Sequence, residues 1–94
     1  MVQEITWSPR SRRELNEACA YIARDSEAMA AIFAMELKAL VQSISEFPNA
    51  GRVVPEFDNP SIRERFYGQY HIVYRLLPGK IEMVAISHCA RRMR

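Results

Sequence analysis

Residues 62–88 read IRERFYGQYHIVYRLLPGKIEMVAISH, and this stretch decides the fold. Three strand-like runs follow one another with two-residue joints between them. Ile62 to Tyr67 alternates Ile62, Glu64 and Phe66 against Arg63, Arg65 and Tyr67, so each set shares one side of a strand. Gly68-Gln69 suits a turn, and Tyr70 to Leu77 resumes the alternation with Tyr70, Ile72, Tyr74 and Leu76 on one side. Pro78-Gly79 has the residue order of a type II turn. Lys80 to His88 contains Val84-Ala85-Ile86, apolar on both faces as an interior strand requires. The expectation is a three-strand antiparallel meander. Ile62, Glu64 and Phe66 are expected to face inward, with Glu64 near an edge and paired to an arginine.

Upstream of the meander, Arg52 to Pro60 reads as a proline-flanked loop with an extended Val53-Val54 centre. Before it, Phe47-Pro48-Asn49-Ala50-Gly51 stops a helix, because proline cannot continue one and Asn and Gly favour turns. That helix carries Met29, Phe33, Leu37, Leu40, Ile44 and Phe47 at three- and four-residue spacing, a single apolar stripe. Met29 and Met35 read as core filler. Asp25-Ser26 separates it from a first helix in which Leu15, Ala18, Cys19, Ile22 and Ala23 share a face. So short a joint makes the two helices antiparallel neighbours. Ser8-Pro9 offers a cap and a first helical residue, with Ser11 and Glu14 as a second possible start in a capping box. Val2 to Trp7 reads as an opening strand. The order is β-α-α-β-β-β, an α+β fold in one domain over residues 1–94. The helical hairpin should lie on one face of an antiparallel sheet and leave the other to solvent or a partner.

Composition bounds the function classes. At 49% hydrophobic and 26% charged the chain is an ordinary globular one. It lacks a run of about 18 apolar residues and a basic-then-apolar leader, so neither a membrane partner nor a signal peptide is expected, and the cytoplasm is the expected location. Cys19 and Cys89 are too few for a disulfide framework and are expected as free thiols. Without a Walker loop, GxGxxG or zinc-ligand spacing, no cofactor or metal is expected. Residues 1–51 hold five cations and seven anions, residues 52–94 eight and four. Most of the cations are Arg, suited to carboxylate or phosphate, but a net charge of +2 does not mark a nucleic-acid binder.

Several segments, taken in order, resemble the RelE/ParE family of bacterial toxins. They are Trp7-Ser8-Pro9, Phe47-Pro48-x-x-Gly51-Arg52, Val54-Pro55-Glu56, Ile62-Arg63-Glu64, Tyr70-His71-Ile72-Val73-Tyr74-Arg75 and Ile81 to His88. The resemblance implies the toxin half of a type II toxin–antitoxin pair, in a hetero-oligomer with a cognate antitoxin. It also implies one of two actions. ParE-like members poison DNA gyrase without known bond-breaking chemistry; RelE-like members cleave mRNA on the ribosome. The Ile62-Arg63-Glu64 and His88-x-x-Arg91 matches, with no tyrosine following Arg91, favour the ParE-like branch and a non-enzymatic inhibitor. The alternative, a metal-independent endoribonuclease, would draw on Arg63, Arg65, His71, His88 and Arg91, and a binding module without toxicity is a third reading. His71 and His88 titrate near neutrality and suit acid–base work, whereas Arg is a poor proton acceptor. Contacts to antitoxin or target are assigned to Arg63, Arg65, Arg75, Arg91 and Arg92. Against these stand plainer roles: His88 bonding backbone, Trp7, Tyr70 and Tyr74 packing, and the terminal arginines as a charged end. A groove between hairpin and sheet is expected to be apolar with a basic rim, fitting an antitoxin segment of alternating apolar and acidic residues.

Overall fold

A computed structural model describes residues 3–89. Ser8 is the joint between the first strand, β1 (Glu4–Trp7), and the first helix, α1 (Pro9–Ala23). Its hydroxyl accepts from the Ser11 amide at 3.0 Å and donates to the Val84 carbonyl at 3.0 Å, capping the helix and fastening it to the sheet at once. Pro9 takes the first helical position. The alternative start at Ser11 is not used: Glu14 reaches across to the Ile86 amide at 2.8 Å. Ser26 caps α2 (Glu27–Glu46) by accepting from the Met29 amide at 3.1 Å.

The last three strands, β3 (Ile62–Tyr67), β4 (Tyr70–Leu77) and β5 (Lys80–His88), pair antiparallel in sequence order. Gly68, at φ +56°, and Gly79, at φ +76°, supply the left-handed backbone their two turns need. Two further strands correct the all-antiparallel expectation. Arg52–Val53 forms β2 beside β3, and β1 lies parallel to β5, giving a mixed sheet in the order β1-β5-β4-β3-β2. The two helices serve as the long connection that a parallel partner requires. This leaves β5 interior, as Val84-Ala85-Ile86 demands.

One face of the sheet packs on the helices. Tyr70, Ile72 and Tyr74 of β4 and Ile81, Met83 and Ile86 of β5 meet Ala18, Phe33, Leu37, Val41 and Ile44. Val73 pairs with Ala85 but Tyr74 with Met83, so Val84 is an extra residue that bulges out of the ladder. The register reverses the expected facing of β3. Arg63 and Arg65 stand opposite Tyr74 and Ile72, on the helix side, whereas Ile62, Glu64 and Phe66 stand opposite Arg75, Val73 and His71, on the uncovered side. Alternation separates the two sets without saying which is inward. Tyr67 decides it, packing its ring 5.7 Å from that of Phe33 on α2.

The helical stripe is buried at its centre only. Phe33, Leu37 and Ile44 are enclosed and Leu40 half so, but Met29 is 55% and Met35 66% exposed, and Phe47 is also exposed. They are not core filler: Ala30 and Val41 take the buried positions that the spacing left open. With mean hydropathy 1.3 over a window, α2 is long and apolar enough for a membrane span by composition, and one of its faces is committed to the sheet.

The Pro48-to-Arg52 corner is held by Tyr74, a side chain with no exposed surface. Its hydroxyl accepts from the Gly51 amide at 3.1 Å and donates to the Pro48 carbonyl at 2.8 Å. A β-carbon at Gly51 would fall 2.9 Å from the Glu64 carbonyl oxygen and closer still to the Tyr74 hydroxyl. Gly51→Ala is therefore expected to destabilise the fold by about 1–3 kcal/mol, as overpacking does, read from urea unfolding.

Candidate functional site

On the uncovered face β2, β3 and β4 bring together Arg52, Glu64 and His71. Glu64 has no exposed side-chain surface, His71 only 6%, while Arg52 reaches into solvent. The Glu64 carboxylate accepts from Arg52 Nε at 2.7 Å and from its Nη2, and its other oxygen bonds His71 Nε2. Burial alone would push this carboxyl up. The hydrogen bonds from His71 and Arg52, with their charge, outweigh it and hold Glu64 below the ordinary carboxylate range. An ionised carboxylate only accepts, so Nε2 carries the ring proton and, in the neutral ring, Nδ1 is left as an acceptor. Nδ1 has no partner among the described residues and is not enclosed.

His71 lines a concavity of about 450 Å³ on this face. Val73, Val84 and Ala85 make its floor, and Phe57, carried by the 3₁₀ turn Pro55–Phe57, stands at its side. Ser87 lies directly across the ladder from His71. At the rim Arg10 pairs with Glu14 at 3.2 Å. Elsewhere on the face Arg75 pairs with Glu82 at 2.7 Å. Each of these three arginines, Arg10, Arg52 and Arg75, is matched to a carboxylate, while the exposed Lys80 of β5, on the same side as Glu82, has no carboxylate within 4 Å among the described residues. The expectation of a cationic open face is corrected: β3 turns its arginines the other way.

The residues proposed for RNA cleavage do not converge. Arg63 donates to the carbonyls of Pro60 at 2.9 Å, Gly51 at 3.1 Å and Asn49 at 3.3 Å, which makes it a clamp on the preceding loop. Arg65 shares its face, as the spacing predicted, near the Tyr74 hydroxyl. His88 lies on the helix side too, its ring edge-on to Tyr70 at 5.3 Å, while His71 is on the opposite face. Arg91 and Arg92 lie outside the described residues. Tyr70, Tyr74 and Trp7 pack in or against the core, and Cys19 and Cys89 are free thiols. The carboxylate that organises the uncovered face, Glu64, was assigned a structural pairing with an arginine. Its link to His71, seven residues on, follows from the two-residue turn between β3 and β4, a pairing that strand alternation alone does not show.

The expected apolar groove with a basic rim is present with different cations. Ile5, Trp7, Leu15 and Val41 form a hollow of about 380 Å³ between β1 and the helical hairpin, and Arg12 and Lys38 stand over it. Neither has a carboxylate within 4 Å among the described residues. Lys38 also lies close enough to Cys19 to lower its pKa, though burial dominates and raises it.

Glu64 makes the stability of the domain acid-sensitive. Its folded pKa is depressed, so its contribution is complete above the unfolded value, about pH 4, and is lost as pH falls toward the lower folded value. Glu64→Gln is expected to be less stable at pH 7 and to show a shallower loss of stability below about pH 4.5, measured by urea unfolding across pH.

Comparison with known proteins supplies the family. Residues 5–93 match the model of the ParE toxin of the type II toxin–antitoxin system parDE. Toxin RelE2 of Caulobacter vibrioides is 29% identical over 89 residues, covering 94% of this chain and 97% of that protein. A chain of the chromosomal ParDE toxin–antitoxin system from P. aeruginosa shares the fold at TM-score 0.75 and 14% identity, over 93% of this chain and 96% of that one. The chain belongs to the ParE/RelE family of type II toxin–antitoxin toxins, and that membership implies an antitoxin as its partner.

Proposed function

We propose that this toxin arrests growth by binding a protein target, DNA gyrase, in the cytoplasm, and that an antitoxin segment seated between β1 and the helical hairpin holds it inactive. The observation that supports this target is that the arginines of the uncovered face are already engaged, leaving Lys80 as its unmatched cation among the described residues. Contact with a nucleic acid relies on cations free to displace the counterions of phosphates. Arg10, Arg52 and Arg75 each already meet a carboxylate, and Arg63 meets three carbonyls. An apolar surface with exposed Phe57 and Phe66 has the character of a protein interface. The separation of His71 from His88, Arg63 and Arg65 by the thickness of the sheet also supports a toxin without an acid–base centre assembled from these groups.

For the antitoxin, charge complementarity supports the hairpin groove. Apolar residues of an extended or helical segment would cover Trp7, Leu15 and Val41, and acidic residues would meet Arg12 and Lys38. Arg65 is a further charge partner on the helix side, whereas Arg63 has its Nε and Nη1 donors engaged by loop carbonyls.

Two measurements test this reading. Added to gyrase and relaxed plasmid, the protein is expected to block supercoiling or trap cleaved DNA. A protein that leaves gyrase untouched and cuts mRNA on translating ribosomes would instead be a RelE-like endonuclease. Arg12→Glu with Lys38→Glu is expected to weaken antitoxin binding by roughly tenfold, more at low salt, as reversed rim charges do. Unchanged affinity by calorimetry would remove the groove from the interface.

A further inference from the structure

We infer that the outer face of α2 is a docking surface for a second copy of this chain, whose own α2 lies antiparallel across Ala28, Ile32, Met35 and Ala39. The inference is independent of which target the toxin acts on. Between Glu27 and Glu36 the exposed residues of α2 are Ala28, Met29, Ala31, Ile32 and Met35, so two turns of helix show water no polar side chain. A helix that is apolar all round is ordinarily covered all round. Of the most apolar window of this one, only 33% is buried. The core takes the opposite face, through Phe33, Leu37, Val41 and Ile44. The outer stripe repeats at four, three and four residues, the spacing of a seam between two helices. Its alanines let two backbones approach closely, and Met35 is a side chain that adapts to what it meets.

The stripe selects its own copy because it matches itself when reversed. In chain order it reads small, large, large, small. Turned about the midpoint between Ile32 and Met35, a second helix sets its Ala39 against Ala28 and its Met35 against Ile32. The charges match as well. Glu27 and Lys38 are eleven residues apart, three turns, and so lie on the same flank of the stripe. A two-fold axis across the pair keeps equal flanks together, and it sets Glu27 of each copy about 3 Å along the helix from the level of the other copy's Lys38. Both side chains are exposed, and neither has an ion-pair partner among the described residues. A parallel pair would instead set Glu27 on Glu27 and Lys38 on Lys38. An anionic lipid surface or a nucleic acid would meet two carboxylates, Glu27 and Glu36, for the one cation Lys38. Ala28 to Ala39 spans about 17 Å of helix, short of a standard interface, so the dimer is a reversible one. Lys38 also borders the groove proposed for the antitoxin, so that segment and the second copy compete for its charge.

Sedimentation equilibrium of the intact protein tests this. The native chain is expected to associate to a dimer, and no further, as its concentration rises. Ile32→Glu with Met35→Glu is expected to stay monomeric throughout while keeping a native circular-dichroism spectrum, since both side chains are exposed. Glu27→Lys alone and Lys38→Glu alone should each weaken the dimer by roughly two- to tenfold, the range of two surface ion pairs, and the two together should return it to native strength. A native protein that is monomeric up to about 1 mM would overturn the inference. So would association that survives Ile32→Glu with Met35→Glu, or a charge exchange that restores nothing. Association that appears only when antitoxin is added, and is lost in Met35→Glu, would give the stripe to the antitoxin instead.

Discussion

The uncovered half of this molecule depends on one buried carboxylate. Glu64 sits on β3 with no side-chain surface in water, where a lone ionised group would be prohibitively unfavourable. It is kept charged by a guanidinium from β2 on one side and an imidazole from β4 on the other. Three consecutive strands of the sheet are thereby joined through side chains as well as backbone. The same arrangement gives the buried carboxylate its compensation on both sides, from the Arg52 guanidinium and the His71 ring. What remains beside it is a concavity with an apolar floor of Val73, Val84 and Ala85 and a polar rim of Arg10, Glu14 and Glu56. Removing Arg52 or His71 would leave the buried Glu64 carboxylate short of compensation, which costs more than the pair contributes.

Much of the scaffold was legible from local pattern. The helix caps at Ser8 and Ser26, the stop at Pro48, and the turns at Gly68 and Gly79 are decided within a few residues, and the structure uses each of them. What local pattern does not contain is the placement of distant pieces. The parallel seat of β1 on β5 joins residues more than seventy positions apart. The two-residue β2 is too short to announce itself beside a proline-flanked loop. The facing of β3 is the least legible feature, because a strand with three apolar or aromatic residues split between its two sides carries no decisive pattern of its own. Its orientation is imposed by the pairing of Tyr67 with Tyr70 over Phe33.

The facing of β3 also decides what Arg63 and Arg65 do. Read as a common outward face, Arg63 and Arg65 made a cationic surface; in place, Arg63 is a fastening for the Asn49-to-Gly51 loop. The motif from Pro48 to Arg52 is in the same sense structural. Gly51 is required by the approach of Tyr74, and Arg52 by the burial of Glu64. Residues that carry a family resemblance are thus, in this stretch, the ones that let the sheet close over a buried hydroxyl and a buried charge.

Concavity and groove differ in chemistry, and α1 stands between them. Arg10 and Glu14, four residues apart, rim the concavity, while Arg12 and Leu15 on another side of the same turns rim the basic groove. Ser8 pins this end of the helix to β5, so the two sides are presented in fixed relation. A chain seated in the groove would lie about one helix diameter, roughly 10 Å, from the concavity. At that separation a bound segment need not change the toxin's conformation to exclude a large target. Its own bulk, continued over the first turns of α1, suffices to occupy the approach. Neutralisation by obstruction asks only that groove and target surface be neighbours, a condition that the N-terminal turns of α1 meet.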